Sequence, residues 1–440
     1  MSAISHSAQI PPRGARGLAR GRSIGNVKAH NLRAVLLTLL QEGTVSRVGL
    51  ARLTGLSTTT ITNLITQLLE QGLVLEEGRE ANNHAGAGRP ATLLQLIPSA
   101  RCAVGVHMGV DTIRAGVRDL FGQLRNYFVI RNTAEMPVAE VLIEIARLVE
   151  RAIADAGVSR SSVVGVGVGA SGLVDVETGV NVLAPNLGWR AVPIRDVLAD
   201  RLHLPVFVDN NVRAMALAEA MFGAGRQANT LAFVYGRVGV GAGFVVGGQV
   251  YRGSRAGAGE IGHTTMIPAG GAPCRCGNTG CLETLISEPE IVRQAQVLAA
   301  RAPDSILAAR LAQPSPADAD EAARRSALEP SQSEPIERIF EAARGGDRET
   351  LVMLNERGHY IGTALANLVN LVNPDMIILG GLFAAGSDLL LPTIEETMRR
   401  RSFAGLGDAV QLRVTTFGRR VGVVGAAALA LDEFFYRQET

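Results

Sequence analysis

The run GEIGHTTMIPAGGAPCRCGNTGCLE, residues 259–283, carries the most specific pattern in this 440-residue chain. One histidine and three cysteines, the donor set of a tetrahedral zinc ion, fall within it: His263, Cys274, Cys276 and Cys281. The intervening glycines allow the loop to fold so that the three sulfurs converge on one ion. Four protein ligands leave no open coordination position, so the pattern predicts a structural Zn²⁺ site rather than a hydrolytic one.

Two other interpretations of these cysteines remain. A disulfide is disfavoured in a cytoplasmic protein, and three unliganded thiols at this spacing would be a coincidence. The fourth cysteine, Cys102, lies apart from the run at the start of a predicted strand. We interpret it as a small buried apolar residue.

On both sides of this run, short apolar strands alternate with longer amphipathic helices, which is typical of an α/β fold. The strands are predicted at 103–106, 163–168, 206–208, 231–234 and 376–379. This pattern extends over residues 99–440. The segment at about 301–335 is rich in Ala, Pro, Ser and Asp, and predicts an inserted helix and flexible loop.

Residues 29–98 have a different pattern, that of a winged helix-turn-helix. Helices are predicted at 31–41, 46–54 and 57–71, with Gly55 in the turn before the third helix and Ser57 as its N-cap. Two short strands at 73–75 and 92–96, around a Gly/Asn-rich patch at 82–90, would form the wing. The alternative is a plain three-helix bundle with a hairpin.

The predicted third helix begins with short polar side chains, which suit contacts to base edges or phosphates in a major groove. The sequence therefore predicts double-stranded DNA as a partner. The candidate DNA-binding residues are Ser46, Arg47, Ser57, Thr58, Thr59, Thr60, Asn63, Arg79 and Arg89.

Charge is distributed unevenly although the net charge is only +2. Residues 1–100 hold ten Arg or Lys but five acidic residues, and nothing acidic precedes Glu42. Residues 1–28 are predicted to form a basic disordered arm that adds phosphate contacts. A solvated tail without a partner is the alternative.

Composition also bears on localisation. No apolar run reaches the roughly 18 residues of a membrane helix, and no apolar run follows the N-terminal arginines as in a secretory signal. Four cysteines in 440 residues exclude a disulfide scaffold. We therefore expect a cytoplasmic protein without a membrane partner, associated with the nucleoid through DNA binding.

Further local patterns accompany the cysteine run. They are Gly165–Val168 leading into Ser171–Asp175, Asn186-Leu187-Gly188-Trp189, and Asn373-Pro374-Asp375 leading to Gly381. Over nearly the whole chain the sequence resembles the bacterial ROK proteins (repressors, open reading frames and kinases), in particular the repressors of the xylose- and N-acetylglucosamine-repressor type. The resemblance implies a winged helix-turn-helix followed by a two-lobed, actin-like (ribonuclease H-like) fold of the ATPase-type sugar kinases.

The resemblance places the catalytic base of the kinases at Asn211, in the segment 209–214. A neutral amide cannot accept the proton of a sugar hydroxyl. The two phosphate loops, 107–111 and 237–243, also depart from the family pattern, because Asp111 replaces a hydroxyl residue and Val238 replaces a threonine. We expect no catalytic residues, no kinase activity and no bound ATP.

The sugar-binding positions are better preserved. The resemblance implies sugar contacts from Asn210, Asn211, Glu260, His263 and Glu283. For the two glutamates, support of the zinc ligands is the alternative role. Arg213 would form a surface salt bridge or accommodate an anionic group of the ligand.

These patterns predict a sugar-responsive transcriptional repressor that binds operator DNA as a homodimer or tetramer, with a sugar or sugar derivative as effector. Two alternatives are a sugar kinase with a DNA-binding appendage and a regulator controlled by a protein partner. An activator of transcription would carry the same residues.

Overall fold

The computed structural model describes residues 24–79, 92–132, 136–313 and 334–437. Most of the predicted arm, the patch at 82–90 with Arg89, and much of the predicted insertion at 301–335 lie outside the described residues. In the described part of that insertion, a helix covers Ile306–Leu311 and another begins at Glu334. No helix among the described residues is long and apolar enough to cross a membrane.

The N-terminal head, residues 24–96, consists of three helices and a small antiparallel sheet with strand order β1-β3-β2. Its elements are α1 (Ile24–Glu42), β1 (Thr44–Ser46), α2 (Arg47–Thr54), α3 (Thr58–Glu70), β2 (Val74–Arg79) and β3 (Thr92–Leu96). Gly55, with φ 71°, ends α2 in the left-handed conformation that glycine adopts without strain. The Ser57 side chain caps α3 by accepting a hydrogen bond from Thr60 N–H.

The head differs from the sequence prediction at two places. Helix α1 begins at Ile24, so residues 24–28 are helical rather than part of a disordered arm. Residues 44–46 form a strand that pairs with β3, which no local pattern indicated because three residues are too few to show a period. Ile61 and Leu64 of α3 are buried in the core of the head.

The first lobe is built on a five-stranded sheet of order β11-β7-β4-β5-β6. Its elements are β4 (Cys102–Met108), β5 (Thr112–Asp119), β6 (Phe128–Arg131), α4 (Val138–Asp155), β7 (Val163–Ala170), β8 (Leu173–Asp175), β9 (Val180–Ala184), β10 (Trp189–Val192), α5 (Ile194–Leu202) and β11 (Val206–Asn210). Strands β8, β9 and β10 form a separate small sheet. Cys102 is buried, as the sequence predicted.

The second lobe is built on a sheet of order β14-β13-β12-β15-β16. Its elements, in chain order, are α6 (Asn211–Phe222), β12 (Thr230–Gly236), β13 (Val240–Val246), β14 (Gln249–Tyr251), α7 (Glu283–Ile286), α8 (Glu288–Arg301), α9 (Ile306–Leu311), α10 (Glu334–Arg344), α11 (Arg348–Val372), β15 (Met376–Gly381), α12 (Leu382–Ala385), α13 (Ser387–Arg401), α14 (Leu406–Ala409) and β16 (Gln411–Val414). A final helix, α15 (Val421–Leu431), and a π-helical turn, Asp432–Tyr436, complete the described chain.

The two large sheets repeat one topology. In each, two antiparallel pairings at one edge are followed by two parallel pairings toward the other edge. Helices cover both sheets, and the α/β expectation for residues 99–440 is confirmed. The five strands predicted for residues 99–440 are all present, and each is longer by a few residues than predicted.

Two helices, α15 and α6, lie between the sheets and pack on each other. Glycines allow the backbones to approach at every level of this stack. A Cβ at Gly167 of β7 would lie 1.8 Å from the carbonyl oxygen of Ala426, and one at Gly425 would lie 2.3 Å from that of Ala214. Similarly, a Cβ at Gly243 would lie 2.7 Å from Val212 O. The stack therefore fixes the distance between the lobes.

We expect Gly167→Ala to destabilise the protein by about 1–3 kcal/mol or more, because the added methyl group must push α15 away from the first-lobe sheet. Chemical denaturation followed by circular dichroism measures the change. Gly257→Ala is the matched control: no atom lies within 4 Å of its Cβ, so we expect a change within about 0.5 kcal/mol. Equal stability of the two variants would contradict the proposed close packing.

Candidate functional site

Helix α3 presents an exposed polar surface at its N-terminal end. Thr58, Thr59 and Asn63 are exposed, whereas Ile61 and Leu64 on the opposite side are buried in the head. The hydroxyl groups of Ser57 and Thr60 lie 2.9 Å apart and are used in the helix cap. The side chains left free for a partner are therefore those of Thr58, Thr59 and Asn63.

The remaining predicted DNA contacts have other surroundings. The prediction that Ser46 contacts DNA is wrong. Ser46 is only 8% exposed, and its side chain accepts a hydrogen bond from Gly49 N–H (3.2 Å) as the cap of α2. Arg47 forms an ion pair with Glu76 of β2 at 3.0 Å. Arg79 is the last residue of β2, at the edge of the wing, and Arg89 lies outside the described residues.

The predicted zinc ligands converge in the structure. One ligand atom from each of His263, Cys274, Cys276 and Cys281 lies within 4.8 Å of the others. His263 Nδ1 is 3.6 Å from Cys274 Sγ, and Cys276 Sγ is 3.7 Å from Cys281 Sγ. Bonds of about 2.3 Å to sulfur and 2.0 Å to nitrogen give tetrahedral edges of this length. The four side chains thus fit a tetrahedral metal ion.

Backbone hydrogen bonds hold the loop in this shape before any metal is considered. Cys274 N–H donates to Asn278 O (2.7 Å), and Gly277 N–H donates to Cys274 O (3.0 Å). Gly277 and Gly280 have φ values of 94° and 68°, so the tight turn needs residues without a Cβ. A Cβ at Gly280 would also lie 1.9 Å from Ile267 O.

Two acidic residues, Glu260 and Glu283, flank the metal loop in the chain. Glu283, the first residue of α7, accepts a hydrogen bond from Val240 N–H at 2.9 Å, and this ties the loop to β13. Glu260 reaches solvent. Its pKa is raised, mainly by loss of water around the carboxylate; His263 and Arg213 oppose the shift, and Glu283 adds to it. His263 N–H donates to the main-chain oxygen of Glu260 at 3.0 Å, so these two residues share one tight turn.

Asn210 and Asn211 stand where β11 ends and α6 begins. The Asn210 side-chain oxygen caps α6 by accepting from Val212 N–H and Arg213 N–H, and its amide group donates to Gly172 O (3.0 Å). Most of the Asn210 side chain is therefore used to shape the junction. Asn211, the first residue of α6, is half-buried beside Gly169 of β7.

Arg213 differs from its predicted place in a surface salt bridge. Its side chain is only 1% exposed and pairs with Asp209 at 2.7 Å, while its Nη1 donates to Ala256 O (2.7 Å). Asp209 is fully buried and also pairs with Arg252 at 2.8 Å. Burial of these charges is offset by the pairing. Arg213 is therefore an internal link between α6 and the loop that precedes Glu260, not a surface residue.

The two phosphate-loop segments are joined to each other by an ion pair. Arg237 Nη1 and Nη2 donate to the two carboxylate oxygens of Asp111 at 2.7 and 2.6 Å. Partial burial raises the pKa of Asp111, but the Arg237 hydrogen bonds outweigh it and hold that pKa below its usual value. This bidentate pair connects the first lobe to the second. Sequence reasoning identified the acid at 111 but not its partner, which lies 126 residues away.

A second contact across the cleft was also missed. Arg275, within the metal loop, donates to Asn186 Oδ1 at 2.7 Å. Asn186 belongs to the 3₁₀ turn Pro185–Leu187 of the first lobe. The sequence singled out both segments by their motifs, and only the tertiary structure brings them together.

Comparison with known proteins agrees with these features. The model of the ROK family matches residues 103–433. The xylose repressor of Caldicellulosiruptor bescii is 30% identical over 411 residues, covering 92% of this chain and 96% of the repressor. A glucokinase of Halalkalibacterium halodurans is 34% identical over 335 residues, covering 76% of this chain and 96% of the kinase.

Among solved structures, a ROK family transcriptional regulator, a homologue of the E. coli Mlc protein, superposes with a TM-score of 0.75. It is 27% identical in sequence, and the match covers 94% of this chain and 97% of the regulator. The match to the regulator covers 94% of this chain and therefore includes most of the N-terminal head, whereas the glucokinase match covers 76%.

We expect the purified protein to contain about one zinc ion per chain, and Cys281→Ser to remove most of it because one of four donors is lost. Atomic emission spectrometry measures the content, and thermal unfolding should show a lower Tm for the variant. Cys102→Ser is the matched control, since Cys102 lies outside the cluster. Unchanged zinc in Cys281→Ser would refute the ligand set.

Proposed function

Because the chain belongs to the ROK family, we propose that it is a sugar-responsive transcriptional repressor that binds operator DNA through a winged helix-turn-helix at residues 29–98. The observation that carries the proposal is the exposed polar surface of α3 on a head packed against a sugar-kinase-like body. Relatives named as xylose repressors and as the repressor Mlc match more than nine-tenths of the chain, which supports it.

On DNA, the start of α3 would enter the major groove. Thr58, Thr59 and Asn63 would reach base edges, and Arg47 and Arg79 would contact phosphates beside them. A homodimer or tetramer would present two such heads to a palindromic operator, with half-sites about one helical turn or a multiple of it apart. Residues 1–23 would add basic groups, so binding should weaken as salt rises.

The effector would be a sugar held in the cleft of residues 99–440. Asn211, Glu260 and Glu283 would contact its hydroxyl groups, and Asn210 retains one amide hydrogen for the same purpose. His263 directs Nδ1 toward Cys274, so its other ring nitrogen faces away from the metal cluster. The structural Zn²⁺ bound by His263 and the three cysteines would stiffen the loop that carries both glutamates.

Two helices connect this cleft to the head. Helix α6 begins at the sugar-binding asparagines, and the loop after it carries Arg226, whose guanidinium donates to the last carbonyls of α1, Leu40 O (3.2 Å) and Gln41 O. At the end of α15, Asp432 pairs with Arg33 of α1 at 2.7 Å. A sugar that favours one lobe closure would move these anchors and change the orientation of the heads.

The sugar kinase alternative is weaker. Asn211 offers no general base, and the phosphate loops are held together by Arg237 and Asp111 where a phosphate chain would need donors. Control by a protein partner instead of a sugar would leave the acidic groups of the cleft without a role.

The first test is fluorescence anisotropy with DNA from upstream of the protein's own gene and its neighbours. We expect tight, salt-sensitive binding that one sugar weakens, with D-xylose and D-glucose the first of the panel. Thr59→Ala and Asn63→Ala should each weaken specific binding by about 1–3 kcal/mol, the contribution of a base contact. Thr44→Ala, an exposed threonine of the head on β1, is the matched control.

Absence of specific binding at low salt would overturn the repressor proposal. Tight DNA binding that no sugar changes would indicate control by a protein partner instead of a sugar. Sugar-dependent release of ADP from ATP would instead support the kinase alternative.

We expect Arg226→Ala to retain sugar binding and DNA binding but to lose most of the release of DNA by sugar, because the α6 loop would no longer hold the end of α1. Calorimetry with the inducing sugar and anisotropy with operator DNA separate the two effects. Arg190→Ala, an exposed arginine on β10, is the control. A full sugar response in Arg226→Ala would contradict this coupling.

A further inference from the structure

A cavity of about 320 Å³ lies between the lobes, and Arg237 is one of its lining residues. Its walls come from both lobes: His107 and Arg114 from the first, and Tyr235, Arg237 and Gly381 from the second. None of the sugar-binding candidates lines it. The cavity is therefore a separate compartment from the proposed sugar site.

Arg114 is the most informative residue of this cavity. It lies on β5, its side chain is only 8% exposed, and its Nε atom is buried without a hydrogen-bond partner. Among the described residues the Arg114 side chain makes no ion pair and no hydrogen bond, although its charge interacts with that of Asp111 over a longer distance. A guanidinium held in the protein without a partner is costly. Such an unsatisfied group at the wall of a cavity indicates a partner that is not part of the chain.

The surroundings of Arg114 favour an anion. Arg237 and Arg419 also line the cavity. Arg237 forms an ion pair with Asp111, and Arg419 forms one with Glu337. Helix α15 begins at the cavity wall with Val421 and Gly422, so the positive end of its dipole faces the same space. Glu288 is the one acidic residue in the described lining, and it lies 3.9 Å from Arg237.

His107 contributes a neutral polar group. Burial, and next the nearby charges of Arg114 and Arg237, lower the pKa of its ring to about 3, so it carries no charge at neutral pH. Its Nδ1 atom is buried and without a partner. The ring packs against Gly422, where a Cβ would lie 2.5 Å from it. His107 therefore offers a hydrogen bond without adding to the charge of the cavity.

We propose that this cavity is a second effector site, which binds a small organic phosphate monoester. The phosphate dianion would pair with Arg114 and compete with Asp111 for the guanidinium of Arg237, because planar guanidinium groups bind phosphate bidentately. A neutral sugar would leave Arg114 unpaired. A nucleoside triphosphate would have to place its phosphate chain where the Arg237–Asp111 pair lies.

Binding there would change the link between the lobes. The Arg237–Asp111 pair joins them, and a phosphate that draws Arg237 away would weaken this pair. The organic phosphate would thus shift lobe closure independently of the sugar. This inference goes beyond the proposed repressor function and does not depend on it.

Isothermal titration calorimetry of the full-length protein tests the site with glycerol 3-phosphate, fructose 6-phosphate, inorganic phosphate and ATP. We expect a monoester to bind more tightly than ATP and more tightly as salt is lowered. Arg114→Gln should weaken that binding at least about tenfold, through loss of a charge-assisted contact. Arg131→Gln, an exposed arginine on the neighbouring strand β6, should leave it unchanged.

Two further readouts separate the site from a general loss of structure. Without ligand, Arg114→Gln should unfold at the same temperature as the wild type or higher, because an unpaired buried charge is removed. Asp111→Asn should strengthen monoester binding several-fold, since the competitor for Arg237 is gone. Damage to the fold does not produce such a gain.

Three results would overturn the proposal. The first is equal monoester affinity in Arg114→Gln and wild type, and the second is tighter binding of ATP than of any monoester. The third is no binding of any monoester at a concentration of about 10 mM. Each leaves the DNA and sugar titrations unaffected, so failure of this site is distinguishable from failure of the repressor proposal.

Discussion

The close packing of α6 and α15 between the two sheets is the constraint on which the rest of the structure depends. Gly167, Gly243 and Gly425 permit contact of backbone against backbone at three successive interfaces. Backbones packed this closely cannot approach each other further, so a movement at one end of either helix is transmitted to its other end. Helix α6 runs from the asparagines of the cleft toward Arg226, and α15 runs from the basic cavity toward Asp432.

Polar and charged side chains form direct contacts across the cleft. Arg237 and Asp111 join the phosphate-loop segments, and Arg275 joins the metal loop to Asn186. Asp209, on strand β11 of the first lobe, is shared by Arg213 and Arg252 of the second lobe. The side chain of Arg114, in contrast, has no such contact among the described residues, and from this imbalance we infer the anion site.

Much of the candidate site followed from local sequence. The four metal donors were predicted by residue type and spacing, and the structure brings them within 4.8 Å. The cap at Ser57 and the turn at Gly55 were predicted because capping and left-handed turns depend on one or two residues. Ser46 was predicted to contact DNA, but its side chain caps α2 and is buried, and this burial depends on the sheet that β1 forms with β3.

The sequence by itself determined the α/β class, the strands and the four candidate metal donors, because each depends on residue type or on a short period. Only the tertiary structure decided that Arg213 is internal, that Asp111 pairs with Arg237, and that Arg114 has no partner among the described residues. These contacts join residues far apart in the chain. Their formation depends on how two whole sheets are spaced, and no local pattern records that distance.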